Sequence, residues 1–172
     1  SVQIIDQVLT TFGFETIHYA VSTKPDNAMG DDQLWDKETH ALKNGLEQAG
    51  KTFAVYEGEG AFYGPKIEVT IKDSMGREWQ CSTIQVDFFL PQNFELTYIN
   101  NEGKKETPVI VHQALLGSLE RFFGILLEHF KGHMPFWLCP TQIKVIPITT
   151  DQQAYAKKIT KTLQELNLRT VI

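Results

Sequence analysis

Two segments joined by a short turn constrain the fold of this 172-residue chain more than any other feature. In the first segment Ile67, Val69 and Ile71 alternate with polar residues, the pattern of a strand that has one buried and one polar face. Residues 74–77, Ser-Met-Gly-Arg, favour a hairpin turn. A second strand is predicted over residues 78–90, so we expect an antiparallel sheet.

The second strand mixes polar and apolar residues on both of its faces. One explanation is an edge strand, and the other is a sheet whose polar side chains line a pocket. In a regular strand Gln80 and Gln85 would point to opposite faces. If both line one pocket, a β-bulge must lie between them. The pattern alone leaves both explanations open.

Helices are expected before and after these strands. Apolar residues recur at helical spacing over residues 2–12 and 31–50. Another helix is predicted over about residues 118–131, and its many apolar residues indicate burial on more than one side. Two further strands are expected over 94–99 and 108–112. The fold class is therefore α+β, an antiparallel sheet flanked by helices.

The pattern changes toward the C-terminus. A strand, an amphipathic helix and a strand are predicted over residues 144–148, 152–166 and 168–172, which is the order of a parallel βαβ unit. We therefore expect one domain over residues 1–141 and the beginning of an α/β domain over residues 142–172.

A glycine-rich segment, EGEGAFYGPK at residues 57–66, precedes the first strand. Its spacing differs from that of a phosphate loop, and a strand follows it, so no helix N-terminus is available to bind phosphate. The simpler interpretation is a β-turn loop. Alternatively, the glycines let the backbone approach a ligand, with Tyr63 and Lys66 close by.

A strand, a glycine turn and a helix follow one another over residues 111–122, VHQALLGSLERF. Arg121 falls in the first helical turn, where the helix dipole is already positive. A cation is favourable there if an anion lies between it and the free backbone N–H groups. The alternative is a surface arginine paired with Glu120 or Glu128.

The remaining histidines and cysteines favour simple interpretations. His112, at a strand end, is more typical of a hydrogen-bonded core histidine than of a metal ligand. His129 and His133 have a zinc-like spacing, but the helix is predicted to end there and no third ligand is near. Cys81 and Cys139 lack metal-like spacing and are expected to be buried thiols.

Composition disfavours several classes of protein. The net charge is −5, with 16 Lys and Arg against 21 Asp and Glu, which argues against an RNA-binding domain acting alone. Two cysteines cannot form a disulfide framework and fit a reducing compartment. No apolar run has the length of a membrane span, and the first residues do not show the pattern of a secretory signal. We expect a cytoplasmic protein, with an organellar form as the alternative.

Four segments together resemble the threonyl-tRNA synthetases, which are class II aminoacyl-tRNA synthetases. They are WDK at 35–37, EGEGAFYGPKIE at 57–68, WQCSTIQVDF at 79–88 and VHQALLGSLERF at 111–122. Four motifs in order at compatible spacing are specific, and the resemblance covers essentially the whole chain. It implies that residues 1–141 are the later part of a class II catalytic core with its third motif. Residues 142–172 would begin an anticodon-binding domain.

The resemblance implies an ATP-dependent ligase. Threonine and ATP, as its Mg²⁺ complex, would give threonyl-adenylate and pyrophosphate, and the threonyl group would then pass to threonine tRNA. The full-length enzyme is expected to be a homodimer. The alternative is a catalytically inactive, synthetase-like module that binds only a nucleotide or a partner.

Five residues are implied on the ATP side of the site. Arg121 would hold the γ-phosphate, with Gly117 and Ser118 at the adenosine. Lys66 and Gln80 would face the nucleotide. Arg121 and Lys66 would supply the positive charge that this chemistry requires.

On the threonine side, the resemblance implies that Tyr63 and Gln85 help to hold the amino acid. His112 would be one of three protein ligands of a zinc ion, which binds the amino and hydroxyl groups of threonine and so rejects valine. The other two ligands, a cysteine and a histidine, would precede Ser1, as would an ATP-contacting arginine. We therefore expect that these 172 residues alone neither activate threonine nor hold zinc tightly.

Overall fold

The computed structural model describes all 172 residues, and they form two compact units, Ser1–Leu126 and Leu127–Ile172. The helices are α1 (Val2–Thr11), α2 (Asp32–Gln48), α3 (Phe89–Asn93), α4 (Leu119–His129) and α5 (Gln153–Glu165). The strands are β1 (Ile17–Ser22), β2 (Phe53–Tyr56), β3 (Lys66–Lys72), β4 (Glu78–Asp87), β5 (Tyr98–Ile99), β6 (Lys105–Glu106), β7 (Ile110–Ala114), β8 (Ile143–Lys144) and β9 (Thr170–Val171). No helix has both the length and the apolar character needed to span a bilayer.

The larger unit is built on a five-stranded sheet in the order β2-β1-β3-β4-β7. Only β1 and β2 pair in parallel, and the other neighbours are antiparallel. The predicted α+β class with a mainly antiparallel sheet is therefore confirmed. Residues 83–87 of β4 lie between β3 and β7, so the interpretation as an edge strand is wrong for them, whereas residues 78–82 pair with β3 only.

A β-bulge interrupts the pairing of β3 with β4. The register shifts between Val69 and Thr70 of β3, and Cys81 of β4 is the extra residue without a partner on β3. One extra residue changes which face each following side chain points to. Gln80 and Gln85 consequently face the same side of the sheet, as the second explanation of this strand requires.

Helices α1 and α2 cover the apolar face of the sheet. Leu42 of α2 lines one groove together with Ile67 and Ile84 of the sheet. Tyr19 of β1 donates a hydrogen bond to Asp6 of α1 at 3.0 Å. Most of the core lies between these layers, and its fully or nearly buried members include Ile5, Leu9, Val21, Leu42, Leu46, Ile67, Val69, Ile71 and Ile84. Burial of each such side chain contributes about 1.5–3 kcal/mol to folding.

Helix α4 buries one side only. Phe122 and Ile125 are buried, and Phe122 packs edge-on against Phe12 with ring centroids 5.1 Å apart. Leu119 and Phe123 are 67 % and 57 % exposed. The expectation that α4 is buried on more than one side is therefore wrong for this chain.

Two predicted strands of the larger unit are shorter than expected, and those predicted over 144–148 and 168–172 are also reduced, to β8 and β9. β4 ends at Asp87, not at residue 90, because α3 begins at Phe89, and the Asp87 carboxylate accepts a hydrogen bond from the Leu90 N–H at 2.9 Å. Of the strand predicted over 94–99, only Tyr98–Ile99 is extended, and it pairs with Lys105–Glu106 in a small hairpin.

The smaller unit contains the predicted parallel βαβ element, since β8 and β9 pair in parallel around α5. Arg169 fixes the segment before β8. Its guanidinium donates hydrogen bonds to the carbonyls of Trp137 and Cys139 at 2.6 and 2.9 Å. The assignment of residues 142–172 to an anticodon-binding domain stays a prediction.

Asp73 organises the turn between β3 and β4. Its carboxylate accepts hydrogen bonds from Arg77 Nε at 2.6 Å, from Trp79 Nε1 at 2.9 Å and from the backbone N–H groups of Met75 and Arg77 at 2.9 Å. Burial raises the pKa of Asp73, but these hydrogen bonds outweigh it and lower the pKa below its ordinary value of 3.8.

We expect Asp73→Asn to reduce the free energy of unfolding near neutral pH. The free energy of unfolding of this variant should also depend less on pH in the acidic range. A carboxylate with a lowered folded pKa stabilises the fold above its unfolded pKa, and that contribution is lost as the pH falls below about 4. Urea unfolding at about pH 7 and about pH 3 measures the difference. Asp26→Asn, at an exposed loop carboxylate, is the control; equal midpoints for Asp73→Asn and wild type at both pH values would contradict the expectation.

Candidate functional site

One cross-strand row on the polar face of the sheet collects three of the predicted site residues. Ser22 of β1 lies opposite Lys66 of β3, Lys66 opposite Gln85 of β4, and Gln85 opposite His112 of β7. Side chains in one such row point to the same face of a sheet. Lys66, Gln85 and His112 are half-buried there.

The next rows along the same face connect this group to Gln80. The adjacent row contains Glu68 and Thr83, with the short side chains of Ala20 and Ala114 at its two ends. One row further on, Gln80 pairs with Thr70 of β3. Thr70 lies four residues from Lys66, which corresponds to about 13 Å along a strand. The polar face is therefore an elongated surface on which Lys66 and Gln80 lie well apart, and Lys72 and Glu78 continue it beyond Gln80.

Tyr63 joins the first row from the glycine-rich loop. Its hydroxyl donates a hydrogen bond to Gln85 Oε1 at 2.6 Å, and its ring centroid lies 6.1 Å from that of His112. The bond engages the amide oxygen of Gln85 and leaves the amide NH₂ to donate to a ligand. Burial raises the pKa of Tyr63, as does the negative charge of Asp87, whereas Lys66 lowers it. The phenol is thus a neutral donor at physiological pH.

The glycine-rich loop packs against the protein itself. A Cβ on Gly64 would lie 1.9 Å from the carbonyl oxygen of Val86, so only glycine allows the loop to approach β4 this closely. Ala61 and Gly64 also form an isolated antiparallel bridge, which makes the loop a tight turn. The glycine serves backbone packing, and Tyr63 is the loop residue that reaches the polar face.

His112 is held by a buried carboxylate. Its Nε2 lies 2.9 Å from Oδ2 of Asp87, whose side chain has no exposed surface. A histidine supported in this way is a typical metal ligand, because the carboxylate fixes the ring and leaves the other nitrogen to coordinate. No three His, Cys, Asp or Glu side chains of the chain lie close enough to hold a metal ion. Among these 172 residues, His112 therefore has the support typical of a metal ligand but is not part of a complete metal site.

Lys66 is held over the polar face by an acidic neighbour on the same strand. Its Nζ lies 2.6 Å from Oε1 of Glu68. The same carboxylate oxygen accepts a hydrogen bond from the Ser22 hydroxyl at 3.0 Å. The ammonium group therefore has a defined position beside the row that contains Gln85.

The glycine turn after β7 occupies the space where β7 stops pairing with β4. The last residue of β7, Ala114, lies opposite Thr83, so β7 leaves the preceding part of β4 without a strand partner on that side. There the Ser82 hydroxyl donates a hydrogen bond to the Leu115 carbonyl. Gly117, at φ +65°, lies so close that a Cβ would be 2.8 Å from the Cys81 carbonyl oxygen.

Arg121 reaches the same part of β4. Its guanidinium donates a hydrogen bond to the Gln80 carbonyl at 2.6 Å. It pairs with neither Glu120 nor Glu128, so the interpretation as a surface ion pair is wrong; Glu120 instead accepts a hydrogen bond from the Ser118 hydroxyl at 2.9 Å. Arg121 is exposed, and the remaining N–H donors of its guanidinium can bind an anion.

The structure brings the predicted residues together in two groups. One contains Tyr63, Lys66, Gln85 and His112, and the other contains Gln80, Gly117, Ser118 and Arg121. Both groups touch β4, and the bulge lies within the second. The role of each residue in binding stays a prediction at this point.

Glu38 was not predicted from the sequence. It is 2 % exposed on the sheet-facing side of α2, and its Oε1 has no hydrogen-bond partner. Burial, followed by the negative charge of Asp87, raises the pKa of Glu38 to about 7, and Lys37 lowers it. The sequence could have indicated that Glu38 is buried, because Trp35, Glu38 and Leu42 recur at helical spacing on one side of α2.

We expect the free energy of unfolding to fall as the pH rises from about 4.5 to about 7, the ordinary and the folded pKa of Glu38. The sign follows because an acid with a raised folded pKa keeps its proton in the folded state after the unfolded chain has lost it. Glu38→Gln removes this component and flattens the slope. Urea unfolding across this pH range measures it, with Asp36→Asn, at an exposed acid of the same helix, as the control. Identical slopes for wild type and Glu38→Gln would contradict the assignment.

Comparison with known protein families places residues 1–130 in one of them. The family model that matches this range describes the class II core domain of tRNA synthetases (G, H, P, S and T).

Curated relatives are threonine–tRNA ligases. The chain is 51 % identical over 166 residues to the ligase of Thermotoga sp. strain RQ2 and 49 % identical over 168 residues to that of Clostridium tetani. It is 46 % identical over 166 residues to the chloroplastic/mitochondrial threonine–tRNA ligase 2 of Arabidopsis thaliana. These alignments cover 96–98 % of the chain but 26 % of each relative, so the chain spans about a quarter of their length.

Solved structures of threonyl-tRNA synthetases share the fold. The RNA binding domain of threonyl-tRNA synthetase from Cryptosporidium parvum Iowa II matches with a TM-score of 0.91 and 37 % identity, over 98 % of this chain and 42 % of that one. The putative threonyl-tRNA synthetase ThrRS-1 from Aeropyrum pernix matches with a TM-score of 0.74 and 32 % identity, over 98 % and 44 % of the two chains.

Proposed function

The chain belongs to the class II tRNA synthetase core family, and we propose that it is part of a threonine–tRNA ligase. The activity would be the ATP-dependent formation of threonyl-adenylate, followed by transfer of the threonyl group to threonine tRNA. The observation that carries the proposal is the polar face of the sheet. Tyr63, Lys66, Gln85 and His112 lie together on it, and Gln80 lies further along it, beside Arg121.

We propose that Lys66 and Arg121 neutralise the nucleotide. In the first step a carboxylate oxygen of threonine bonds to the α-phosphorus of ATP, and the bond from that phosphorus to the bridging oxygen of pyrophosphate breaks. Negative charge grows on the departing pyrophosphate, and fixed cations stabilise it most when they are already in place. Arg121 is suited to a terminal phosphate because its guanidinium offers parallel donors. Gln80, Gly117 and Ser118 would then lie beside the adenosine.

We propose that Tyr63 and Gln85 orient threonine at the other end of the face. Each retains a polar group there: the Tyr63 oxygen accepts as well as donates, and the Gln85 NH₂ is unused by the Tyr63 bond. His112, supported by Asp87, would supply one ligand to a zinc ion, and residues outside these 172 would supply the rest. Such an ion, when bound, provides a Lewis acid for the amino and hydroxyl groups of the substrate. A homodimeric assembly and a cytoplasmic location complete the proposal, although one relative carries an organellar name.

The test is threonine-dependent exchange of pyrophosphate into ATP, measured on the complete reading frame that contains this sequence. Wild type should be active, and Arg121→Ala should lose on the order of 100-fold or more, the cost of removing a group that stabilises developing charge. Lys157→Ala, at an exposed cation of α5 in the smaller unit, serves as the control and should retain full activity.

Two outcomes would contradict the proposal. Exchange that depends on an amino acid other than threonine would contradict the substrate assignment. Absence of exchange in a folded wild-type protein that still binds ATP would favour a catalytically inactive, nucleotide-binding module.

A further inference from the structure

We propose that Glu68 is a positioning residue for Lys66, holding its ammonium group at the nucleotide face during adenylate formation. The inference rests on the proposed ligase function. Glu68 would not touch the reacting atoms itself and would act through Lys66.

Three residues form the arrangement. Lys66 and Glu68 are two apart on β3, so both side chains lie on the polar face, and Ser22 is the cross-strand partner of Lys66. One oxygen of Glu68 accepts from both neighbours, from the Lys66 ammonium at 2.6 Å and from the Ser22 hydroxyl at 3.0 Å. The hydroxyl fixes the carboxylate, and the carboxylate in turn fixes the ammonium.

Burial makes this ion pair a stronger restraint than an ordinary surface pair. The side chains of Lys66 and Glu68 are 20 % and 11 % exposed, and Ser22 is fully buried. On the same face of the sheet, Lys72 and Glu78 form a second pair at 3.3 Å with side chains 41 % and 59 % exposed. Solvent screens the second pair much more than the first. The Lys72–Glu78 pair, which joins β3 to β4, thus provides a more exposed control on the same face of the sheet.

The charge of Glu68 argues for a role in geometry rather than in affinity. A carboxylate next to the proposed phosphate-binding lysine repels the triphosphate and weakens its binding. A lysine without a partner, however, has a flexible four-carbon chain and places its charge poorly. Fixed charge contributes more to a transition state than mobile charge does, because it needs no reorganisation during the reaction. Glu68 therefore weakens the binding of ATP but fixes the position of the Lys66 ammonium group.

Loss of the Glu68 charge is therefore predicted to affect kcat and KM for ATP differently. Glu68→Gln keeps the shape of the side chain and an acceptor for Ser22, but it loses the charge that restrains Lys66. In the complete reading frame we expect kcat of pyrophosphate exchange to fall about tenfold, the value of one charge-assisted hydrogen bond. KM for ATP should stay unchanged or decrease, because the repulsion is removed. Glu78→Gln should change neither constant.

A double-mutant cycle with Lys66→Met tests whether Glu68 acts through Lys66. If Glu68 acts through Lys66, Glu68→Gln has no further effect once Lys66 is replaced. The same tenfold loss in both backgrounds, or wild-type kcat in Glu68→Gln alone, would overturn the proposal.

A chemical measurement separates this proposal from the proposed function if wild type shows no exchange. The rate at which an amine-selective acylating reagent modifies Lys66 is followed by mass spectrometry. Glu68→Gln should accelerate modification of Lys66 but not of Lys72. Glu78→Gln should accelerate modification of Lys72 but not of Lys66. An unchanged rate at Lys66 in Glu68→Gln would show that Glu68 does not restrain it.

Discussion

The β-bulge at Cys81 is the feature on which the rest of the candidate site depends. One extra residue in β4 places Gln80 on the same face as Gln85, which a regular strand cannot do. Next to the bulge, the Gln80 carbonyl accepts a hydrogen bond from Arg121, and the Cys81 carbonyl lies close to Gly117. A single backbone irregularity therefore shapes the polar face and also anchors the turn and helix that deliver the arginine.

Close backbone contacts position the other side chains. Gly64 lets the loop of residues 57–66 rest directly on the Val86 carbonyl, and this brings Tyr63 to Gln85. Asp87 joins His112 to the start of α3 by accepting from both. Tyr63, His112 and Arg121 thus come from a loop, a strand and a helix start, but each is fixed by a contact to β4. Lys66 is instead fixed by Glu68 of the neighbouring strand β3. Rigid support of this kind is what electrostatic stabilisation of a transition state requires.

Residue patterns predicted the sheet, its polar face and the strand–turn–helix order around Arg121, because period-two alternation and glycine turns are local signals. They predicted the bulge only conditionally, since a bulge depends on the register with β3. Apolar content could not show that Leu119 and Phe123 of α4 lie exposed in this chain. Nor did it identify Glu38, which has the helical spacing of a core residue. Its pKa is raised by burial and then by the negative charge of Asp87, which is far away in sequence.

The most direct measurement is a crystal structure of the protein with a non-hydrolysable ATP analogue. The nucleotide should lie along the polar face, with its phosphates between Lys66 and Arg121 and its adenosine beside Gln80 and Gly117. The Gln85 amide NH₂ should not contact the nucleotide, which leaves it available to the amino acid. A nucleotide bound elsewhere, or on this face with Arg121 turned away from its phosphates, would contradict the assignment of this face as the active site.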